Sequence, residues 1–297
     1  MRTSLWTPAF DAYVGPARAR PQIWRLALGI VAVLALWLLG VILAMAALAV
    51  VEGPATLDAT EIGRTPASLI ALLLSFVGLA LGSWVAAQLM HGRTIGQLLG
   101  PRVPGRFLLG AGVTFGVAIG ASLLLGLLGP APPLERNVDP DTFTRFLLPA
   151  LVALLIQTGA EELAFRGYLQ GQLAARFRHP IVWMGLPAIV FGLAHADPAA
   201  GPNMPLIVGV TTLVGLITAD LTRVTGGLGA AWGLHFANNV MAVLAVSLAD
   251  SLSGLSWWRL PYATDDVEVV RPLILQDALV LVIIWAVLRL ILARRAE

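Results

Sequence analysis

Glu161 and Glu162 stand side by side at the end of an apolar run, Phe146–Thr158, which reads FLLPALVALLIQT. A carboxylate within a bilayer-spanning segment is costly to desolvate, so such groups are the first place to look for function. Adjacent helix residues point about 100° apart, so the two acids have different jobs. Glu162 and Arg166 are four apart, the spacing of an ion pair on one helix face. Such a pair shares the cost of burial between carboxylate and guanidinium. Glu161 is then left to face a cavity. Two more polar patterns follow. Phe191-Gly-Leu-Ala-His195 places a ring and an imidazole on one face, and His235-Phe-Ala-Asn238-Asn239 does the same for His235 and Asn239. Each has a plain structural reading when taken alone: a solvated helix end, an interfacial histidine, or an interhelical hydrogen bond worth about 0.6 kcal/mol. Taken together they could activate a water molecule. A carboxylate beside an imidazole can deprotonate water, and amide or imidazole donors can stabilise the oxyanion by about 3–4 kcal/mol each. Two histidines and a glutamate are also a catalytic zinc set, although the local H-E-x-x-H turn is missing. Both chemistries stay open at this level.

Helices must bring these groups together. The segment 167–178 (GYLQGQLAARFR) reads as a continuation of the Glu161 helix, and His179-Pro180 makes the turn. Folding the chain back about residues 178–179 sets Glu161 opposite Ala196, one position from His195, about 24 Å from the turn at 1.5 Å per residue. His235 lies about 12 Å inside its own segment. With a modest protrusion of the hairpin, all three share one depth. His179 and His91 read as interfacial.

The surrounding chain is made for lipid. Of 297 residues, 58% are hydrophobic and 12% charged, about half the usual charged share. Apolar stretches near spanning length recur throughout. They predict an all-α, polytopic membrane helix bundle of about eight transmembrane helices: 25–51, 67–90, 107–129, 146–165, 181–196, 205–222, 227–249 and 273–293, the fifth and sixth short. The first is too long for a signal-peptide core and is expected to be retained. Pro-rich punctuation at 130–140 (PAPPLERNVDP) separates support helices, 1–129, from a chemical core, 144–249, followed by a loop and last helix, 250–297. In that loop Trp257, Trp258 and Tyr262 suit an interfacial belt; a gating role is the lesser alternative. Asp277 in the last span has no evident purpose.

All 19 basic residues are arginine. Under this topology Arg64, Arg136, Arg145, Arg259 and Arg271 fall on one side and the rest, from Arg2 to Arg295, on the other. The positive-inside rule then puts both termini in the cytoplasm. Acids such as Glu52, Asp58, Glu61, Glu135 and Asp265 fall outside. The sequence pI of 9.6 reflects arginines facing anionic lipid; without a basic, aromatic-interleaved stripe, no nucleic-acid partner is expected. With no cysteine, disulfide and thiol chemistry are excluded.

Glu161-Glu162-x-x-x-Arg166, Phe191-x-x-x-His195 and His235-x-x-x-Asn239, in this order and in successive spans, resemble the CPBP family. These are the CAAX prenyl protease type 2 and bacteriocin-processing (ABI) intramembrane metalloproteases. The resemblance covers about residues 144–249. It implies an intramembrane endopeptidase acting on membrane-associated peptides or protein tails. Glu161 and His195 would handle the attacking water. His235 and Asn239 would complete the site as metal ligand or oxyanion donors, with Glu162, Arg166 and Phe191 in support. If a divalent metal such as zinc is used, Glu161, His195 and His235 would hold it; no other cofactor is implied. The expected partners are membrane lipid and a peptide or protein substrate. Lysine-free coding points to a GC-rich bacterium, hence the inner membrane. The alternatives are a transporter using the Glu/His/Arg cluster and a non-catalytic bacteriocin-immunity protein.

Overall fold

Backbone this apolar has one stable option in lipid, a helix that satisfies its polar groups internally. The computed structural model describes residues 5–58, 62–129 and 132–294. Arg2, Glu61, Pro130, Ala131 and Arg295, used in the sequence reading, lie outside them. The chain is an all-α polytopic bundle. In order it runs α1 (Pro8–Val14), α2 (Ile23–Glu52), α3 (Pro66–Leu74), α4 (Val77–His91), α5 (Ile95–Leu99), α6 (Val103–Leu128), α7 (Pro140–Glu162), α8 (Gly171–Arg176), α9 (Leu186–Leu193), α10 (Met204–Thr225), α11 (Gly229–Val240) and α12 (Val270–Arg294).

Among the described residues six stretches are long and apolar enough to cross a bilayer: Ile23–Glu52, Pro66–His91, Ile95–Leu127, Pro140–Arg176, Pro198–Thr225 and Val270–Arg294. The protein is therefore an integral membrane protein. The fifth expected span is a shorter helix, Ile181–Leu193. The sixth, expected to be short, runs through all 22 residues of α10. The seventh is the short one instead, because α11 has only 12 residues before the chain widens into a π-helical turn, Met241–Ala245.

Small residues let the short helix sit deep in the bundle. Gly226 ends α10 in the left-handed conformation, φ 65°, which glycine adopts freely. The backbone then turns back along α6. A Cβ at Gly233 would run into the Phe107 carbonyl, and one at Gly110 into that of Ala230. Close small-residue contact of this kind drives helix association in lipid. Gly233→Val is expected to cost about 1–3 kcal/mol through overpacking, read as a lower unfolding midpoint in detergent. An unchanged midpoint would remove close α6–α11 approach as the feature that seats α11.

α7 starts cleanly. The Asp139 side chain accepts from the Thr142 N–H at 2.9 Å, and Pro140 follows at the first turn. Hydrogen bonding by the Thr142 side chain, and then by its backbone N–H, holds the Asp139 carboxyl below the usual carboxylate range. The helix passes through a π-helical stretch, Leu163–Gln170, and α8 carries it to Arg176. Reversal at His179-Pro180 then leads into the fifth helix.

The segments before α7 and after α11 hold structure that the sequence does not announce. Strands β1 (Glu135–Arg136), β2 (Val246–Leu248) and β3 (Trp258–Leu260) form a small sheet in the order β1-β3-β2. The Arg136 guanidinium lies 3.9 Å from the Trp257 ring centroid and 5.2 Å from that of Trp258. His179 is exposed, as expected at a turn. His91, at the end of the second span, is buried against the protein, with Nδ1 on the Arg20 carbonyl at 2.9 Å and Nε2 on the Tyr168 hydroxyl at 3.1 Å. Asp277 lies on the exposed face of α12.

Candidate active site

Three helices converge on a buried charge cluster. From the end of α7, Glu162 Oε1 accepts from Arg166 Nη1 at 3.1 Å, the same-face pair expected from the spacing. The same oxygen faces His235 Nδ1 of α11 at 2.9 Å. A carboxylate oxygen only accepts, so Nδ1 carries the proton. The other ring nitrogen, Nε2, points at Glu161 Oε2 at 3.3 Å. One imidazole thus sits between the two adjacent carboxylates. Glu161, Glu162, Arg166 and His235 are all buried.

Phe191 of α9 is the packing hub. Its ring centroid is 4.7 Å from that of His195 and 5.7 Å from that of His235, and the Arg166 guanidinium carbon lies 4.6 Å away over it. His195 Nδ1 lies 2.8 Å from the Phe191 carbonyl. A carbonyl accepts, so in the neutral ring Nε2 keeps its lone pair. His195 is half-buried and is not in ion-pair contact with Glu161.

Beside the cluster lies a cavity of about 690 Å³. Its polar lining includes Gln157, Glu161, His195, His235, Asn238 and Asn239; Trp37, Phe76 and Leu169 are among its apolar residues. The chemical groups thus come from the segment expected to hold them, but α2 to α4, read as support, also build the cavity. Glu161 faces this space, as its separation from the Glu162–Arg166 pair requires.

Sequence reasoning missed two parts of the site. Gln157 links Glu161 to Asn239: its Nε2 donates to Glu161 Oε2 at 2.8 Å, and its Oε1 accepts from Asn239 Nδ2 at 3.0 Å. The available signal was an amide one turn before Glu161 in an otherwise apolar run. The second part is the π-helical stretch directly after the glutamates, a feature that often marks functional helices. Buried Arg93 donates to the Gly167 carbonyl inside it at 3.0 Å. Desolvation lowers the proton affinity of that guanidinium.

A zinc ion needs three or four donors aimed at one point. Glu161 and His235 meet, Glu161 Oε2 is already held by Gln157, and His195 lines the same cavity with its Nδ1 on the Phe191 carbonyl. Among the described residues no three His, Cys, Asp or Glu side chains converge to hold an ion. The expected Glu161–His195–His235 ligand set is not assembled in this geometry.

Residues 143–241 match the family model described as type II CAAX prenyl endopeptidase Rce1-like. A curated relative, the uncharacterized protein YyaK of Bacillus subtilis (strain 168), is 24% identical over 254 residues, covering 82% of this chain and 85% of its own length. No solved structure matches. The matched segment contains every residue of the carboxylate–imidazole cluster, and that segment is similar to the Rce1-like, type II CAAX prenyl endopeptidase family.

Proposed function

We propose that the chain hydrolyses peptide bonds of membrane-associated peptides or protein tails, with water activated between Glu161 and His195. The observation that carries this reading is the 3.3 Å approach of Glu161 Oε2 to His235 Nε2 on the wall of a largely apolar cavity shared with His195 and Asn239. An apolar cavity admits a membrane-borne chain, and its few polar groups supply orientation.

The roles follow from donor and acceptor inventories. Glu161 Oε1 and His195 Nε2 are acceptors, so a water between them can donate both hydrogens and aim a lone pair at a substrate carbonyl. Glu161 removes one proton as the water oxygen bonds to the carbonyl carbon. The C–N bond then breaks, and the same carboxyl returns the proton to the leaving nitrogen. Asn239 Nδ2 spends one N–H on Gln157 and keeps the other for the oxyanion. His235 is held by Glu162 with Nε2 toward Glu161, where a proton can be shared between them. Arg166 balances the charge of Glu162 without entering the cavity lining. Excess arginine on one side supports placement in a bacterial inner membrane with cytoplasmic termini.

Purified protein in proteoliposomes, given an internally quenched peptide with an apolar C-terminal tail, tests these roles. His195→Ala, His235→Ala and Asn239→Ala are each expected to lower kcat by about 10²–10³-fold. Unchanged cleavage in all three would remove the assignment.

A further inference from the structure

We infer that Gln157 is a positioning residue of the hydrolytic site, holding Glu161 and Asn239 in one fixed relation through its side-chain amide. The inference rests on the hydrolytic reading above and goes beyond it, because Gln157 belongs to none of the three motifs.

Three observations support it. First, the amide is buried and uses both ends, donating to Glu161 at 2.8 Å and accepting from Asn239 at 3.0 Å. Second, its polarity is set by chemistry. An ionised carboxylate can only accept, so the NH2 end must face Glu161 and the carbonyl end must face Asn239. That in turn fixes the Asn239 amide with its NH2 end toward Gln157. Third, the amide occupies a particular oxygen. Glu161 Oε2 takes both the Gln157 donor and the approach of His235, which leaves Oε1 for water. The helix explains the reach, since Gln157 and Glu161 are one turn apart on α7.

A side chain needed only for packing would be replaceable by its nearest apolar isostere. Gln157→Met keeps length and volume and removes the amide. Gln157→Glu keeps shape but sets an acceptor against an acceptor. In proteoliposomes with the same quenched peptide, both variants are expected to lose kcat by about 10- to 100-fold with KM within about twofold. The Gln157→Met/Asn239→Ala double variant should lose little more than the worse single variant, because the two groups act as a unit. A second readout needs no turnover. Dicyclohexylcarbodiimide attaches to buried carboxyls, and mass spectrometry separates adducts on Glu161 from those on Glu162. Released from its amide partner, Glu161 should label about threefold faster in Gln157→Met than in the parent protein.

Parent-like kcat in Gln157→Met, or equal labelling of Glu161 in both proteins, would overturn the positioning role. Retained cleavage in Glu161→Gln would instead overturn the hydrolytic reading. In that case the labelling comparison still decides whether Gln157 holds Glu161.

Discussion

Glu161→Gln is expected to abolish measurable cleavage, lowering kcat by about 10²–10⁴-fold while leaving KM nearly unchanged. The substitution keeps the size of the side chain and both positions of its terminal atoms. What it removes is the ability to take a proton from water and return it to the leaving nitrogen. The fixed neighbours make the loss hard to compensate. Glu162, the other nearby carboxyl, is committed through Oε1 to Arg166 and His235. It is absent from the cavity lining. Glu161→Asp should be impaired too, because the shorter side chain cannot reach His235 Nε2 from 3.3 Å and keep its Gln157 bond. Steady-state kinetics on matched amounts of folded protein give the answer. Loss through KM alone would make Glu161 a binding residue.

The second large effect falls on stability. Arg166→Met is expected to destabilise the protein by about 3–5 kcal/mol, the usual result of stranding one partner of a buried ion pair. Arg166 and Glu162 are buried, and the pair is 3.1 Å long. Removing the guanidinium leaves Glu162 with His235 alone and strips the cation from the Phe191 ring, 4.6 Å away. The double variant Arg166→Met/Glu162→Leu should recover much of the loss, since no charge is then stranded. Reversible unfolding in mixed micelles measures both. An Arg166→Met protein as stable as its parent would mean that the pair is well solvated.

Much of this architecture is written in residue types. Long aliphatic runs specify helices in lipid, and most expected spans agree with observed helices to within a few residues. Glu162 with Arg166 and Phe191 with His195 are legible because both pairs sit one turn apart, and helical rise alone fixes their contact. Other features depend on tertiary contacts. α11 is short because the chain opens into a π turn and a strand after Val240, and nothing in the apolar run 240–245 announces that change. His91 reads as interfacial by position along its span, and its burial against Tyr168 and the Arg20 carbonyl is a tertiary feature. The π-helical stretch at Leu163–Gln170 has an outside partner in Arg93, about 70 residues away in sequence. Hairpin arithmetic sets Glu161 level with His195, and both line one cavity; it says nothing of His235, which contacts Glu161 because α11 packs against α7. A lone amide in an apolar run, as at Gln157, resembles a helix-packing residue until its two partners are seen.

The central claim is that Glu161 serves hydrolysis rather than transport, and a paired measurement in one vesicle preparation tests it most directly. Proteoliposomes containing the parent protein or Glu161→Gln receive the quenched apolar-tailed peptide, and cleavage is followed beside proton flux. The expected result is peptide cleavage by the parent, none by the variant, and the same flux in both. Intact peptide together with proton flux that disappears in Glu161→Gln would contradict it.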